Sequence, residues 1–433
     1  MTDHAGATPS TTRRDFLKTS AAAVVGSGLL AQTDILRAAY VSGSETLRLG
    51  LVGCGGRGTG AAEQALNADP HTQLVALGDA FDDQLQSSLD RLKKSKAGER
   101  VAVDPDHQFV GFDAYQKVID SDVDVVLLAT PPHFRPIHLQ AAIEAGKHVF
   151  AEKPVAVDAP GIRSVLAACE EAKNKNLSVV SGLCWRYETG MQTLIDRIHN
   201  GALGEIVALH STRYNQGVSK GEPRTPEMSD MEYQLRNWYY YTWLSGDFNV
   251  EQFVHEMDKM AWIMQDQYPV ECSSTGGRQT RTDDRYGNIF DHISTVFEYE
   301  NGVKYFAATR QQEGCDSRFF DHVHGTAGMA DLMKFTITGA QPWRWGRRKT
   351  VMHQLEHDAM YAALRNGETI NNGDYMARST MMGIMARMSA YTGKTITWKE
   401  AMESQELLAP AEYAFDAAPP KSPIAMPGLT PFV

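Results

Sequence analysis

Leu47-Arg48-Leu49-Gly50-Leu51-Val52-Gly53-Cys54-Gly55-Gly56-Arg57-Gly58 decides the fold. A short apolar run ends on a glycine loop, and an Ala-rich stretch of helical character follows as far as Ala68. Strand, Gly-x-Gly-x-x-Gly turn and helix in direct succession form the first half of a dinucleotide-binding βαβ unit. In such a unit Gly53 permits the tight turn, Gly55 lets a pyrophosphate approach the backbone, and Gly58 lets the helix pack close to the strand. Gly56 and Arg57 complete the loop, where the helix N-terminus offers N–H groups to an anion. A second strand over residues 73–78 runs into Asp79, roughly 20 residues on, where a carboxylate accepts hydrogen bonds from the adenosine ribose. A 2′-phosphate is repelled there, and Ala80-Phe81-Asp82 supplies no Arg or Lys to offset the repulsion. The expected cofactor is therefore NAD.

Further strand-like runs lie at 123–130 and 148–150, with a helical stretch over 136–146 between them. Strands alternating with helices predict an α/β fold with a doubly wound parallel sheet. After a helix at 159–175 the pattern changes. Residues 178–183, 206–214, 294–300 and 303–309 read as strands, the last two joined by Asn301-Gly302, a strong hairpin signal. This predicts an α+β second domain built on an open, mainly antiparallel sheet. Helices follow at 354–366 and 378–391. The expected division is a signal and linker over 1–44, an NAD-binding Rossmann domain over 45–165, a substrate-binding domain over 166–408 and a Pro-rich extended arm over 409–433. There is no internal repeat.

Upstream, Thr12-Arg13-Arg14-Asp15-Phe16-Leu17-Lys18 precedes a small apolar run over 19–31, the layout of a twin-arginine export signal. The run is too short for a membrane span. Periplasmic or otherwise exported protein is expected, with no membrane insertion after export. The 433 residues, 42% hydrophobic and 22% charged, suffice for a large core and two or three domains. A formal charge of −11 argues against nucleic acid or anionic membrane as a general partner, and a small ligand fits better. The five cysteines, Cys54, Cys169, Cys184, Cys272 and Cys315, are scattered and odd in number. They form neither a disulfide framework nor a paired metal motif, and read as mostly buried thiols.

Several motifs together resemble the glucose-fructose oxidoreductase / inositol dehydrogenase / MocA family over nearly the whole mature chain. They are Ala129-Thr130-Pro131-Pro132, then His138, Ala151-Glu152-Lys153-Pro154, the stretch Gly182 to Tyr187, a turn from Gly201 to Glu205, Glu251-x-x-x-His255-x-x-Asp258-x-x-x-Trp262, and Gly325-Thr326-Ala327-Gly328. The resemblance implies NAD(P) in the first domain and a sugar, cyclitol or related substrate in the cleft of the second. It places Lys153 beside the nicotinamide, touching the hydroxyl that is oxidised, with Glu152 to orient it. It also puts Thr130, Pro131, His133, His138 and Glu152 around the cofactor.

Glu251, His255, Asp258 and Trp262 recur at helical spacing and are expected on one face of a helix. His255 there takes the hydroxyl proton as hydride leaves, and Glu251, one turn away, holds the ring tautomer. Family members commonly carry aspartate where this chain has Glu251, so its contact with the substrate differs by a methylene. Glu-x-x-x-His also suits a metal, but spacing places no third ligand, and none is expected. Asp321-His322-x-His324 reads as alternation on a strand. Arg186, Tyr187 and Asp258 are candidate substrate contacts. Trp238 and Trp243, in the aromatic run 238–243, suit the C–H faces of a pyranose, and core packing or an oligomer contact accounts for the run equally well.

The leading function is an NAD(H)-dependent oxidoreductase acting on a secondary hydroxyl of a sugar or polyol. Outside the cytoplasm no NAD pool recycles the cofactor, which points to tightly held nucleotide. The alternative is a redox-neutral glycoside hydrolase, lyase or epimerase that works through a transient keto-sugar. A homo-oligomer, dimer or tetramer, is expected in either case.

Overall fold

A computed structural model describes residues 45–218, 223–346, 350–421 and 423–433, and the twin-arginine stretch lies outside them. The first sheet contains β1 (Leu47–Val52), β2 (Thr72–Asp79), β3 (Gln108–Val110), β4 (Val125–Leu128), β5 (His148–Ala151) and β6 (Val179–Ser181). All are parallel, in the order β3-β2-β1-β4-β5-β6. β4 and β5 are buried at every position, as strands covered by helices on both faces must be. Strand order reverses between β1 and β4, so the crevice beyond their C-terminal ends is the place for a ligand.

β6 was expected with the second domain and instead joins this parallel sheet. Its residues are buried without alternation, which suits a strand covered on both sides and not a half-open sheet. The boundary expected at 165 falls inside the helix Ala159–Asn174, whose apolar face packs on the same core.

The second sheet has nine strands: β7 (Ile206–Asn215), β8 (Glu271–Gly277), β9 (His292–Glu298), β10 (Lys304–Gln311), β11 (Arg318–Gly325), β12 (Gly328–Asp331), β13 (Thr336–Gly339), β14 (Trp343–Arg344) and β15 (Ile396–Thr397). Their order is β14-β13-β12-β11-β7-β10-β9-β8-β15. Every neighbouring pair is antiparallel except β7 with β10. Along β10 Tyr305, Ala307, Thr309 and Gln311 point inward while Phe306 is 45% exposed, the period of two that a one-sided sheet imposes. Asn301-Gly302 turns the chain between β9 and β10 as expected.

The inner face is covered by the helix Gly373–Thr392, buried along almost its whole length, as a helix wedged between other elements requires. The chain then comes back to the first domain twice. The helix Met352–Arg365 packs against Gly56–Ala68, where Arg365 pairs with Asp69 at 2.7 Å. Residues 409–433 contain no helix or strand among those described, and Tyr413 and Phe415 lie against loops of the first domain. No described helix is long and apolar enough to cross a membrane. Cys54, Cys169, Cys184 and Cys272 are buried, and Cys315 is partly so.

Candidate active site

The loop after β1 has the geometry its glycines demand. Gly53 has φ +97°, and a Cβ there would lie 2.5 Å from the Thr130 backbone nitrogen. A Cβ on Gly58 would fall 1.8 Å from the Gly53 carbonyl oxygen, so the helix Gly56–Ala68 can sit on the strand only if that residue is glycine. Gly55 and Gly56 meet nothing within 4 Å and border a cavity of about 860 Å³. The cavity runs past Asp79 and reaches Thr130, Pro131 and His138. Asp79 accepts from the Cys54 N–H at 2.6 Å and the Phe81 N–H at 2.9 Å. Burial raises its pKa above the ordinary carboxylate value in spite of those bonds. Each oxygen keeps a lone pair for another donor. His138 stacks on Tyr115 at 4.1 Å, and burial, helped by Arg135, pulls its pKa down to about 3. Open glycine backbone, a helix N-terminus and a carboxylate at the end of β2 form a site that fits a dinucleotide without a 2′-phosphate.

Two expected cofactor contacts are engaged elsewhere. His133 is buried, with Nε2 2.8 Å from the Tyr413 hydroxyl and its ring edge-on to Trp243, so it anchors the C-terminal arm. Burial lowers its pKa to about 4. Arg57 borders the cavity, but its Nε lies 2.6 Å from Glu152 and its Nη2 donates to Gln64 at 2.5 Å.

Lys153 stands just past β5. Its Nζ donates to Glu251 twice, to the carboxylate at 2.8 Å and to the backbone carbonyl at 2.6 Å. Glu152, expected to orient Lys153, is spent on Arg57, and Glu251 takes over that task. Glu251 is in turn not the partner of His255, because the expected single helix is two. Phe248–Glu251 ends at Gln252, and Val254–Ile263 begins afresh. Phe248, Val250, Phe253 and Val254 are all fully buried, a spacing that one face of a continuous helix does not supply. Gln252 fills the break by accepting from Asn215 and Gln311, both at 2.9 Å. His255 keeps an enclosed Nδ1 with no hydrogen-bond partner among the described residues. Burial first, then the charges of Lys153, Arg213 and Lys259, push its pKa well below the ordinary imidazole value. The ring is therefore neutral near pH 7 and can accept a proton.

The expected substrate contacts mostly became structure. Asp258 is fully buried and accepts from Arg186 at 2.9 and 3.1 Å and from Ser379 at 2.9 Å. The Arg186 guanidinium also reaches Asp266 at 2.6 Å and lies 4.0 Å from the Tyr375 ring centre. These two residues satisfy each other. Tyr187 donates to Asn372 at 2.7 Å. Trp243 is 0% exposed, with its indole N–H on Gln234 at 2.6 Å, so no sugar stacks on it. Trp238 does border a cavity, but the nucleotide groove.

Three features escaped sequence reasoning. Asp247 adopts φ +86° and caps the helix carrying Glu251. Its carboxylate accepts from the N–H groups of Asn249 and Phe290 at 3.0 Å and from Tyr391 at 2.6 Å, and burial raises its pKa to about 6. Gly246-Asp247 before an apolar stretch was the available signal. Glu256 and Lys259, on the helix of His255, form a fully buried network with Asp321, which the partly exposed Arg213 joins through Glu256. In the helix Met352–Arg365, His353 lies 3.3 Å from Glu356 and 3.9 Å from the Cys184 sulfur, and Glu356 shares the charge of Arg57 with Glu152. His353-x-x-Glu356 in a helical stretch hinted at the pair. Nothing local pointed to Cys184.

Residues 47–181 match the NAD-binding Rossmann domain of the GFO_IDH_MocA oxidoreductase family, and residues 191–331 match a GFO/IDH/MocA C-terminal domain. An inositol 2-dehydrogenase of Salmonella typhimurium is 27% identical over 223 residues, 52% of this chain and 56% of that protein. The chain thus spans little more than half the length of that relative. A myo-inositol 2-dehydrogenase of Thermotoga maritima is 23% identical over 373 residues, 84% of this chain and 100% of the relative. Among solved structures, the aldose-aldose oxidoreductase of Caulobacter crescentus complexed with glycerol superposes with a TM-score of 0.62 at 18% identity, covering 82% of this chain and 100% of that one.

Proposed function

The chain belongs to the Gfo/Idh/MocA family of NAD-binding oxidoreductases, and we propose that it moves a hydride between NAD and a secondary hydroxyl of a sugar or polyol. The observation that carries this reading is the convergence of Lys153, from the end of β5, with Glu251 of the second domain, close enough to His255 to depress its ionisation. The inositol 2-dehydrogenase relatives support the substrate class. NAD, when bound in the groove, supplies the hydride acceptor.

The protein's own groups do the rest. Glu251 holds the Lys153 ammonium in one position, from which Nζ donates to the substrate oxygen and stabilises the charge that develops there. His255, neutral at working pH, takes the hydroxyl proton on a ring nitrogen. The surrounding cations make its imidazolium short-lived, so the proton passes on to solvent.

A redox-neutral cycle is the second reading. A nucleotide groove walled by both domains favours it, because a cofactor held through many turnovers needs oxidation and reduction in the same site. In both readings the twin-arginine stretch sends the enzyme out of the cytoplasm. Val296 and Phe306, paired across β9 and β10 and exposed at 38% and 45% on the outer face of the second sheet, favour a dimer or tetramer.

The test is incubation of the purified enzyme with a panel of cyclitols, aldoses and glycosides, without added electron acceptor. Absorbance of reduced nicotinamide and product formation are followed together. A dehydrogenase stops after one equivalent, and a redox-neutral enzyme continues to make product. No reduction and no product with the whole panel would contradict both readings.

A further inference from the structure

The nucleotide groove is not built by the first domain alone. Met228, Leu235, Arg236 and Trp238, all from the stretch 223–238 of the second domain, border the same cavity as Asp79 and Phe81. Arg236 lies over the Phe81 ring with its guanidinium carbon 4.0 Å from the ring centre. It pairs with Asp83 of the first domain at 3.2 Å, and with Glu232 on its own helix at 2.9 Å. Phe81 also packs on Phe415 of the C-terminal arm, with ring centres 5.5 Å apart. Phe415 also sits 4.9 Å from Phe112, another residue bordering the cavity.

We propose that Arg236 is a nucleotide-binding residue supplied by the second domain, which closes the adenosine end of the groove so that bound NAD leaves only when the Arg236–Asp83 pair opens. The inference rests on reading the groove as the NAD site. Asp79 marks the ribose end, and Phe81 and Asp83 are the next residues along that wall. A planar guanidinium held 4.0 Å above the Phe81 ring centre offers a face on which a purine can stack. Its two carboxylate partners keep it there in preference to solvent. Asp83 is 58% exposed, so the closing pair is a solvent-facing one, weak enough to open and sensitive to salt. A nucleotide enclosed by a firm aromatic wall and a weak ionic clasp is slow to leave but not trapped. An exported enzyme without an external NAD pool has use for such slow release.

The experiment uses the full chain loaded with NADH and chased with excess NAD, with release followed by nicotinamide fluorescence. Wild-type release is expected to be slow and to accelerate between about 50 mM and about 500 mM salt. Arg236→Ala is expected to release roughly tenfold faster or more, the loss of a charge-assisted contact. Asp83→Asn alters an exposed side chain and leaves the fold intact. It should speed release less and abolish the salt dependence. Release from both variants at the wild-type rate, with unchanged salt dependence, would overturn the clasp while leaving the groove as the NAD site. A wild-type chain that takes up no NAD or NADH would overturn the reading of the groove itself, and the clasp with it.

Discussion

The loop Gly53–Gly58 and the stretch Phe248–Ile263 both carry motifs, yet they relate to the structure differently. In the loop each residue's task is set by backbone geometry within a few residues or across adjacent strands. Gly53 has the positive φ, Gly58 the forbidden Cβ, and Asp79 the two N–H donors. In the helical stretch the spacing suggested one face, but the partners come from far along the chain. Lys153 takes Glu251, Arg186 takes Asp258, and Asp321 takes Lys259. Steric motifs of backbone transfer intact from sequence to structure. Motifs made of charges are completed by whichever opposite charge the fold brings within reach.

Lys153→Met gives the largest expected effect, because it removes the ammonium that Glu251 of the helical stretch holds in place for the substrate oxygen. Substrate-dependent NAD reduction should fall roughly 10²–10⁴-fold, while NAD affinity measured by titration stays close to wild type. An unchanged rate would separate the nucleotide groove from the chemistry.

Arg186→Met comes next and probes the charge-built region. It leaves Asp258 buried without its main partner, which costs about 3–5 kcal/mol of stability. Chemical denaturation reads that loss, and KM in the remaining folded enzyme should move little. A large rise in KM at unchanged stability would restore Arg186 as a substrate contact and narrow the contrast between the regions.

Asp79→Ala removes hydrogen bonds to the ribose and should weaken NAD by about 1–3 kcal/mol. It should also lessen the discrimination against NADP, so a titration that finds both nucleotides unaffected would refute the assignment.

The smallest effect is a displacement along the pH axis. His255 is held neutral by burial and neighbouring cations, so its proton-accepting form prevails above a pKa well below that of free imidazole. Reduction should rise with pH through that lowered ionisation and be level by neutrality, and His255→Ala should remove the limb. A limb at or above the ordinary imidazole range would mean that a carboxylate does reach the ring.

Much of this was legible in the sequence. β4 and β5 announce themselves as continuous apolar runs, which two-sided burial dictates, and Asn301-Gly302 marked its hairpin by local turn chemistry, whereas β3, three half-exposed residues beginning with Gln108, gave no such run and was missed. β6 was recognised as a strand but assigned to the wrong sheet, since a three-residue apolar run says nothing of its neighbours. Trp243 looked like a sugar platform because an aromatic side chain is the same in a cleft and in a core. Its burial depends on Gln234 nearby in the chain and on His133, distant in it. Arg236 carries no sequence signal for nucleotide binding, because it lies far along the chain from Asp79, although the fold sets it above Phe81.

The account turns on the groove between these elements being an NAD site. Its most direct test is to denature the purified protein, separate the released small molecules and identify the nucleotide. The account predicts NAD or NADH at close to one per chain, with no NADP. Recovery of NADP(H), or of a protein that carries no nucleotide and binds NADP more tightly than NAD, would contradict it.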